Sequence, residues 1–404
     1  MSTSVLYHAF GVRGYEHRRT DYSGGTVIFR VQQPREQLRC VECGSAHVHL
    51  KTHVDRMLRL VPIGGKPAWL HVPIPRVACQ NCASVRQVEL TCAEPRVSYT
   101  RAFARYALEL LDYMTILDVA LHLQVSWDVI RGIQKQHLQR KFGKPKLKQL
   151  RRIAIDEISI GRGHRYLTVV QDLERGAVVF VGDGKGADAL RPFWNRLRHS
   201  GAKVRAVATD MSPAYIAAVR ENLPKATLVF DHFHVIKLFN DKLSDLRREL
   251  HREAKEKLHK DVLKGTRWLL LKNPENLDAE KNESARLEEA LQLNRSLAIA
   301  YYLKEDLRQL WNQGSRAAAA KFLDGWIRRA DASGVKILKA FARTLASHRS
   351  GLLDWYKHPI STGPLEATNN KIQLLKRQAF GYRDFEFFKL KIYALHLSRY
   401  ALVG

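Results

Sequence analysis

The chain has 404 residues, 45% of them hydrophobic and 9% aromatic, enough for two to four cores and too much for general disorder. Lys and Arg number 67 against 40 Asp and Glu, a formal net charge of +27 that points to a polyanion, nucleic acid before a membrane surface. No run reaches the roughly 18–20 apolar residues that span a bilayer, and the N-terminus lacks the apolar block of a secretory signal. A cytosolic protein without a membrane partner is expected.

All five cysteines fall within residues 40–92. Cys40 and Cys43 form one C-x-x-C knuckle, Cys79 and Cys82 a second, and two such knuckles complete a tetrahedral structural zinc site. The segment between them exceeds the usual ribbon spacing, and its alternating stretches "HVHLKTHVDRMLRL" and "KPAWLHVPIPRVAC" predict a hairpin. Disulfides or unligated buried thiols are the plainer readings. Cys92 is expected in the core, and His47, His49 or His71 would replace a cysteine if this pairing were wrong.

"TRAFARYALELLDYM" has helical spacing. "TILDVALHLQVSWDVIRGIQKQHLQRKF" then gives a short helix, a turn at residues 123–125 and a second helix capped by Ser126. Val119, Ala120, Leu123, Val125, Ile130 and Ile133 would pack the pair as a helix-turn-helix, presenting Trp127, Asp128, Arg131 and Lys135 to a DNA groove. An ordinary helical hairpin has the same pattern. The basic linker "RKFGKPKLKQLRR" marks a boundary near residue 145.

From residue 151 the period changes. "RIAIDEIS", "RYLTVVQD" and "AVVFVGDG" are short β-runs joined by the turns "IGRGH" and "LERG". A helix, the strand "KVRAVATD", a helix and the strand "ATLVFDHF" follow, which is the element order of the ribonuclease H-like fold. That fold places acids in its first strand and at the end of its fourth, here Asp156 and Asp210. Glu157, one residue along the strand, faces the other way and reads as structural.

These stretches, with "VATDMSPAY", "VFDHFHVIKLFN", "RWLLLKNPENL" and "ISTGPLEATNNKIQLLKRQAFGYRDFEFFKLKIYAL", resemble the DDE-type insertion-sequence transposases, the ISL-three group above all. With the cysteine knuckles the resemblance spans nearly the whole chain. Ala367 stands where that family usually has glycine. The resemblance implies Glu366 as the third catalytic acid, two Mg2+ per active site (Mn2+ able to substitute), double-stranded DNA as partner (terminal inverted repeats and target), and a homodimer on the DNA ends. It also implies a supporting role for Asp231, His232, His234 and Asn370; a helix cap and a packed histidine are the plainer reading of the first three.

The residues agree with Glu366. Pro364 suits a first helical turn, and Leu365, Thr368, Ile372, Leu375 and Ala379 form a buried stripe. Glu366, Asn370, Gln373 and Arg377 then lie on the polar side, where Lys371, Lys376 and Arg377 would meet phosphate. Between Asp231 and Glu366 the pattern is helical, a length that a ribonuclease H-like core does not need. Trp268 in that segment reads first as core packing, with an unstacked base as the alternative.

The expected fold class is multidomain α+β. A zinc-binding module occupies 1–98 and the helix-turn-helix 99–145. A ribonuclease H-like core in two parts, 146–236 and 359–404, is interrupted by an all-helical insertion over 237–358. The expected function is a DNA transposase that cleaves the ends of its element and transfers strands with metal help. A ribonuclease H-like nuclease of the resolvase type and a non-catalytic DNA-binding regulator derived from a transposase are the rivals. The two DNA-reading modules argue against the first, and three intact acids against the second.

Overall fold

The computed structural model describes residues 4–161, 165–254, 262–263 and 266–397. The turn "IGRGH" falls partly outside them. The described residues divide into two compact units, 4–143 with 397, and 144–396.

The first unit opens with α1 (Val5–Phe10) and the antiparallel pair β1 (Glu16–Ser23) and β2 (Thr26–Gln32). β3 (Val48–Ile63) and β4 (Lys66–Cys79) form a long hairpin whose register runs from Ile63 opposite Lys66 to Val48 opposite Cys79. Gly64 and Gly65 make its two-residue turn, with φ of +54° and +77°, backbone that a side chain resists and a tight hairpin needs. The sheet order is β1-β2-β4-β3, with β5 (Val85–Gln87) also paired to β4. Phe10, Leu58, Leu60 and Leu70 fill its core beside Cys92.

Three helices follow: α2 (Arg101–Leu110), α3 (Ile116–His122) and α4 (Trp127–Phe142). Phe103, Val119, Ala120, Leu123, Ile130 and Ile133 form one core between them, with Val125 packed against it. Thr115 starts α3 with a capping box to Asp118. Ser126 holds the N-cap position of α4, but its side chain makes no cap hydrogen bond.

Arg59 on β3 fastens these helices to the sheet. It is buried, its Nη2 donates to the Leu123 carbonyl at 2.8 Å, and its own carbonyl accepts from the Thr100 amide at 3.0 Å. Its guanidinium also lies 5.1 Å from the Trp69 ring.

In the second unit, β6 (Arg152–Gly161), β7 (Arg165–Asp172) and β8 (Val178–Asp183) run antiparallel, while β9 (Ala206–Thr209) and β10 (Thr227–Phe230) add parallel strands in the order β10-β9-β6-β7-β8. α5 (Ala187–Arg198) and α6 (Pro213–Asn222) cover one face, where Ile153 and Ile155 meet Leu190, Phe193, Tyr215 and Val219. α14 (Gly363–Gln378) and α15 (Phe385–Ala394) cover the other, with Thr368 bonded to Gln171 on β7 and Tyr393 to the Val181 amide on β8. β6 therefore alternates between two packed faces, which a period of two requires.

Between β10 and α14 the described elements are helical: α7 (His232–Glu253), α8 (Arg267–Leu271), α9 (Glu283–Leu293), α10 (Arg295–Arg308), α11 (Arg316–Ala332), α12 (Lys336–Ser347) and α13 (Arg349–Leu353), with short 3-10 turns. Trp326, Phe239 and Phe341 pack edge-to-face at its centre. Gly351 of α13 lies so close to β10 that a Cβ there would stand 2.4 Å from the Phe230 ring. Two expectations are corrected. Trp268 is not core, being 65% exposed with the Arg267 guanidinium over its ring, and Ala379 is exposed because α14 ends before it.

Replacing Arg59 with Ala leaves the Leu123 carbonyl unpaired and removes the stack on Trp69. A loss of about 1–3 kcal/mol in urea unfolding of the first unit is expected, read from its helical circular dichroism.

Candidate functional site

The β3–β4 hairpin sets the cysteine geometry. Pairing Val48 with Cys79 brings the second knuckle beside the start of β3, and the first knuckle lies just before that strand. Both knuckles turn alike: the Cys40 amide donates to the Ser45 carbonyl and the Cys79 amide to the Ser84 carbonyl, each at 2.9 Å. The residue after each second cysteine, Gly44 or Ala83, takes a positive φ. The Sγ atoms of Cys40 and Cys82 are 3.6 Å apart, and those of Cys43 and Cys79 are 3.5 Å apart. All four sulfurs lie within 4.8 Å of one another, close to the edge of about 3.8 Å in a tetrahedron with 2.3 Å zinc–sulfur bonds. The Ser84 hydroxyl hydrogen-bonds to Cys40 and Cys82 and holds both thiols below their ordinary value, Cys40 at about 6. His47, His49 and His71 are not in the cluster; His71 instead meets Asp55 at 3.4 Å. Thiolate donors at this spacing fit zinc.

The acids gather at one end of the second sheet. Ala154 on β6 pairs with Ala208 on β9 in parallel register, so two residues further on Asp156 in β6 is level with Asp210, the first residue past the end of β9. Asp156 accepts the Asn369 side-chain amide at 2.9 Å and the Glu157 backbone amide at 2.8 Å. Its carboxyl is pushed up to about 6 by burial, against the pull of His234 and the Glu157 amide, with the charges of Asp210 and Glu157 adding to the rise. Asp210 accepts the Ser212 amide at 3.0 Å.

Glu366 lies on α14, one turn before Asn369, and Gln373 of the same helix donates to the Ser159 carbonyl of β6. The face of α14 that carries Glu366, Asn369 and Gln373 thus runs along the strand of Asp156. The Glu366 carboxylate is half-buried and makes no hydrogen bond or ion pair among the described residues. Asn370 is exposed, and Asn369 is the asparagine that touches an acid. Glu157 turns to the opposite face, where its carboxylate accepts the Tyr215 hydroxyl at 3.2 Å.

Asp231 is fully buried and serves as a brace. Its carboxylate accepts the His234 amide at 3.2 Å, capping α7, and the Thr362 amide at 3.1 Å, at the N-cap of α14. His232 is half-exposed, with Nδ1 3.7 Å from the Asp231 carboxylate and its ring against Trp311. The His234 Nε2 is buried without a hydrogen-bond partner among the described residues.

On α4, Trp127 is exposed and Arg131 lies over its ring at 5.1 Å while pairing with Asp128 at 3.1 Å. Lys135 follows one turn later, half-buried. Lys371 and Arg377 of α14 are exposed and Lys376 is half-buried.

A family model described as a transposase matches residues 153–392, more than half of the chain. The chain belongs to the ISL3 family of transposases. Residues 36–82 match the zinc-finger of transposases IS204/IS1001/IS1096/IS1165, and residues 79–138 match the helix-turn-helix domain of transposase family ISL3. The transposase of insertion element IS1001 from Bordetella parapertussis is 31% identical over 95% of this chain and 96% of its own length. That of IS1557 from Mycobacterium tuberculosis is 29% identical over 89% and 86%. The Drosophila P element transposase strand transfer complex overlaps 63% of this chain and 78% of its own at 12% identity, with a TM-score of 0.36, too low to bear on the fold.

The family's zinc-finger match coincides with the four-cysteine cluster, which supports structural zinc in this transposase. Its helix-turn-helix match covers α2, α3 and most of α4. Among the described residues, no helix is long and apolar enough to cross a membrane.

Metal analysis should find about one zinc per chain, lost when Cys79 and Cys82 are both changed to Ser. A second outcome concerns pH. The Asp156 value in the folded chain lies above that of a free carboxyl, so the native state holds its proton longer than the unfolded chain does. Its contribution is fully present below about pH 4 and is lost as pH rises through about 6. Melting temperature in EDTA should therefore fall over that window, and Asp156→Asn should flatten the fall.

Proposed function

We propose that this transposase binds the terminal inverted repeats of its own insertion sequence, cleaves the DNA there and joins the freed 3′-hydroxyl to target DNA, as a homodimer on two ends. In this reading residues 1–98 and 99–145 recognise the ends, with Trp127, Arg131 and Lys135 at the groove. Residues 146–236 and 359–404 form a ribonuclease H-like core, interrupted by a helical insertion over 237–358. Three antiparallel strands followed by two parallel ones support the core.

The observation that carries the reading is the alignment of Asp156 on β6 with Asp210 just past the end of the neighbouring parallel strand β9, with α14 laid along β6 and Glu366 one turn from the Asp156 contact. Asp156, Asp210 and Glu366 are all oxygen donors, the set that Mg2+ prefers. Burial first, and the charges of Asp210 and Glu157 after it, disfavour the ionised Asp156 carboxyl, and a cation bound there would favour it. When bound there, two Mg2+ would supply an activated hydroxyl and charge relief at the leaving oxygen.

The chain's own groups do the positioning. Asn369 fixes one oxygen of Asp156 and the Glu157 backbone amide the other. Asp231 sets where α14 starts, and hence where Glu366 sits. Lys371, Lys376 and Arg377 hold the phosphates of the DNA. Hydrolysis breaks a phosphorus–oxygen bond and leaves a 3′-hydroxyl. Transesterification then spends that hydroxyl on a target phosphate and releases a target 3′-hydroxyl, so phosphodiester number is conserved in the second step.

Asp156→Asn, Asp210→Asn and Glu366→Gln each keep shape and remove a charge. Each should reduce cleavage and strand transfer on end-containing DNA by at least about 10³-fold, while gel-shift affinity stays equal or rises through lost repulsion. Glu157→Gln keeps an acceptor for Tyr215 and should spare both steps. Excision at the wild-type rate by the Asp210→Asn protein would end this reading.

A further inference from the structure

Helix α14 closes with two hydrogen bonds of a Schellman turn: the Phe380 amide to the Arg377 carbonyl at 3.0 Å and the Gly381 amide to the Lys376 carbonyl at 2.9 Å. Such a turn puts one residue in the left-handed conformation, a place that glycine usually takes. Here Phe380 takes it, at φ +50°, although a glycine stands next to it. That backbone costs a residue with a Cβ stability, and among the described residues no side-chain packing offsets the cost. Phe380 is 101% exposed, the most exposed large apolar residue among those described. An aromatic ring held out at a strained position, with no packing to gain, calls for a partner.

The surroundings choose the partner. Lys371, Lys376 and Arg377 precede the ring on α14 and Arg383 follows it, and among the described residues none of the four pairs with a carboxylate. Unpaired cations around a projecting ring suit a nucleic-acid backbone with a base stack between its strands. A second copy of this chain, itself carrying +27, is a poor occupant for such a patch.

We propose that Phe380 is a wedge that inserts at a base step of the DNA being cut. The inference rests on the cleavage reading above, and α14 supplies its ruler. Fourteen residues separate Glu366 from Phe380. The helix runs through the first twelve of them, to Gln378; at about 1.5 Å per residue that is about 18 Å. With the turn beyond it, laid along a duplex of about 3.4 Å per base step, the reach is about five to six steps from the phosphate held near Glu366. Arg377 lies on the same face of α14 as Glu366, three turns on, so it would grip the backbone between the two points.

The test uses the full chain and a duplex taken from the DNA flanking its gene, with 2-aminopurine placed at successive positions. Fluorescence should rise at a single step about five to six positions from the cut. The rise should vanish in Phe380→Ala, with affinity lower on the order of tenfold, and persist in Phe380→Tyr. Without DNA, Phe380→Gly should raise the melting temperature, since glycine relieves the backbone and no packing is lost. Binding and cleavage by the wild type with the same 2-aminopurine signal in Phe380→Ala would overturn the wedge alone. A Phe380→Ala protein that melts earlier, or that dissociates from a DNA-free dimer, would place the ring in a protein contact and overturn it too. Failure of the wild type to bind any DNA would overturn both the wedge and the reading beneath it.

Discussion

A strand turns neighbouring side chains to opposite faces, and β6 uses that to keep two adjacent carboxylates apart. Asp156 goes to the side of α14 and Asp210, Glu157 to the side of α6 and Tyr215. Had both carboxylates shared a face, two like charges would lie together in a poorly solvated place. One of them would then be driven toward its protonated form. The alternation instead gives one acid a hydroxyl partner and leaves the other for the site. Everything around the sheet end, from the Asn369 contact to the brace at Asp231, arranges neighbours for that second acid.

Much of this was legible in the sequence because it rests on local periodicity. Two C-x-x-C knuckles with alternating runs between them announce a hairpin-linked cluster, and β3, β4 and the sulfur distances follow from it. Pro364 with the spacing of Leu365, Thr368, Ile372 and Leu375 announces α14 and its buried side. The misses share one cause. Asn369 and Asn370 are adjacent amides on the border of an amphipathic helix, and only the position of β6 decides which of them meets Asp156. Asp231 reads locally as a cap of α7, but its second acceptor role depends on Thr362, 131 positions away. Ala379 continues the apolar spacing past the point where the helix stops, because periodicity does not mark its own end. Trp268 is apolar by composition, yet its segment leaves it on the surface under Arg267. The signal for Arg59 was weakest: one arginine in a basic strand gives no hint of burial.

The first unit economises on core in a different way. Its sheet carries a long exposed stretch of β3, and its compact parts are two small apolar clusters and the cysteine knuckles. Small β modules of this kind gain much of their order from metal, while one buried arginine reaches from the sheet to the turn before α4 and helps to anchor the helical trio. Loss of either fastening therefore touches the presentation of α4 before it touches α4 itself.

Asp231 has one more consequence. The chain leaves the sheet at this residue, builds seven described helices and returns at Thr362, and one carboxylate grips both the departing and the arriving backbone. The excursion is thereby a closed loop pinned at its neck. The entropy of closing such a loop grows only with the logarithm of its length. A helical segment tied in this way can be lengthened or shortened without moving the acids at its base.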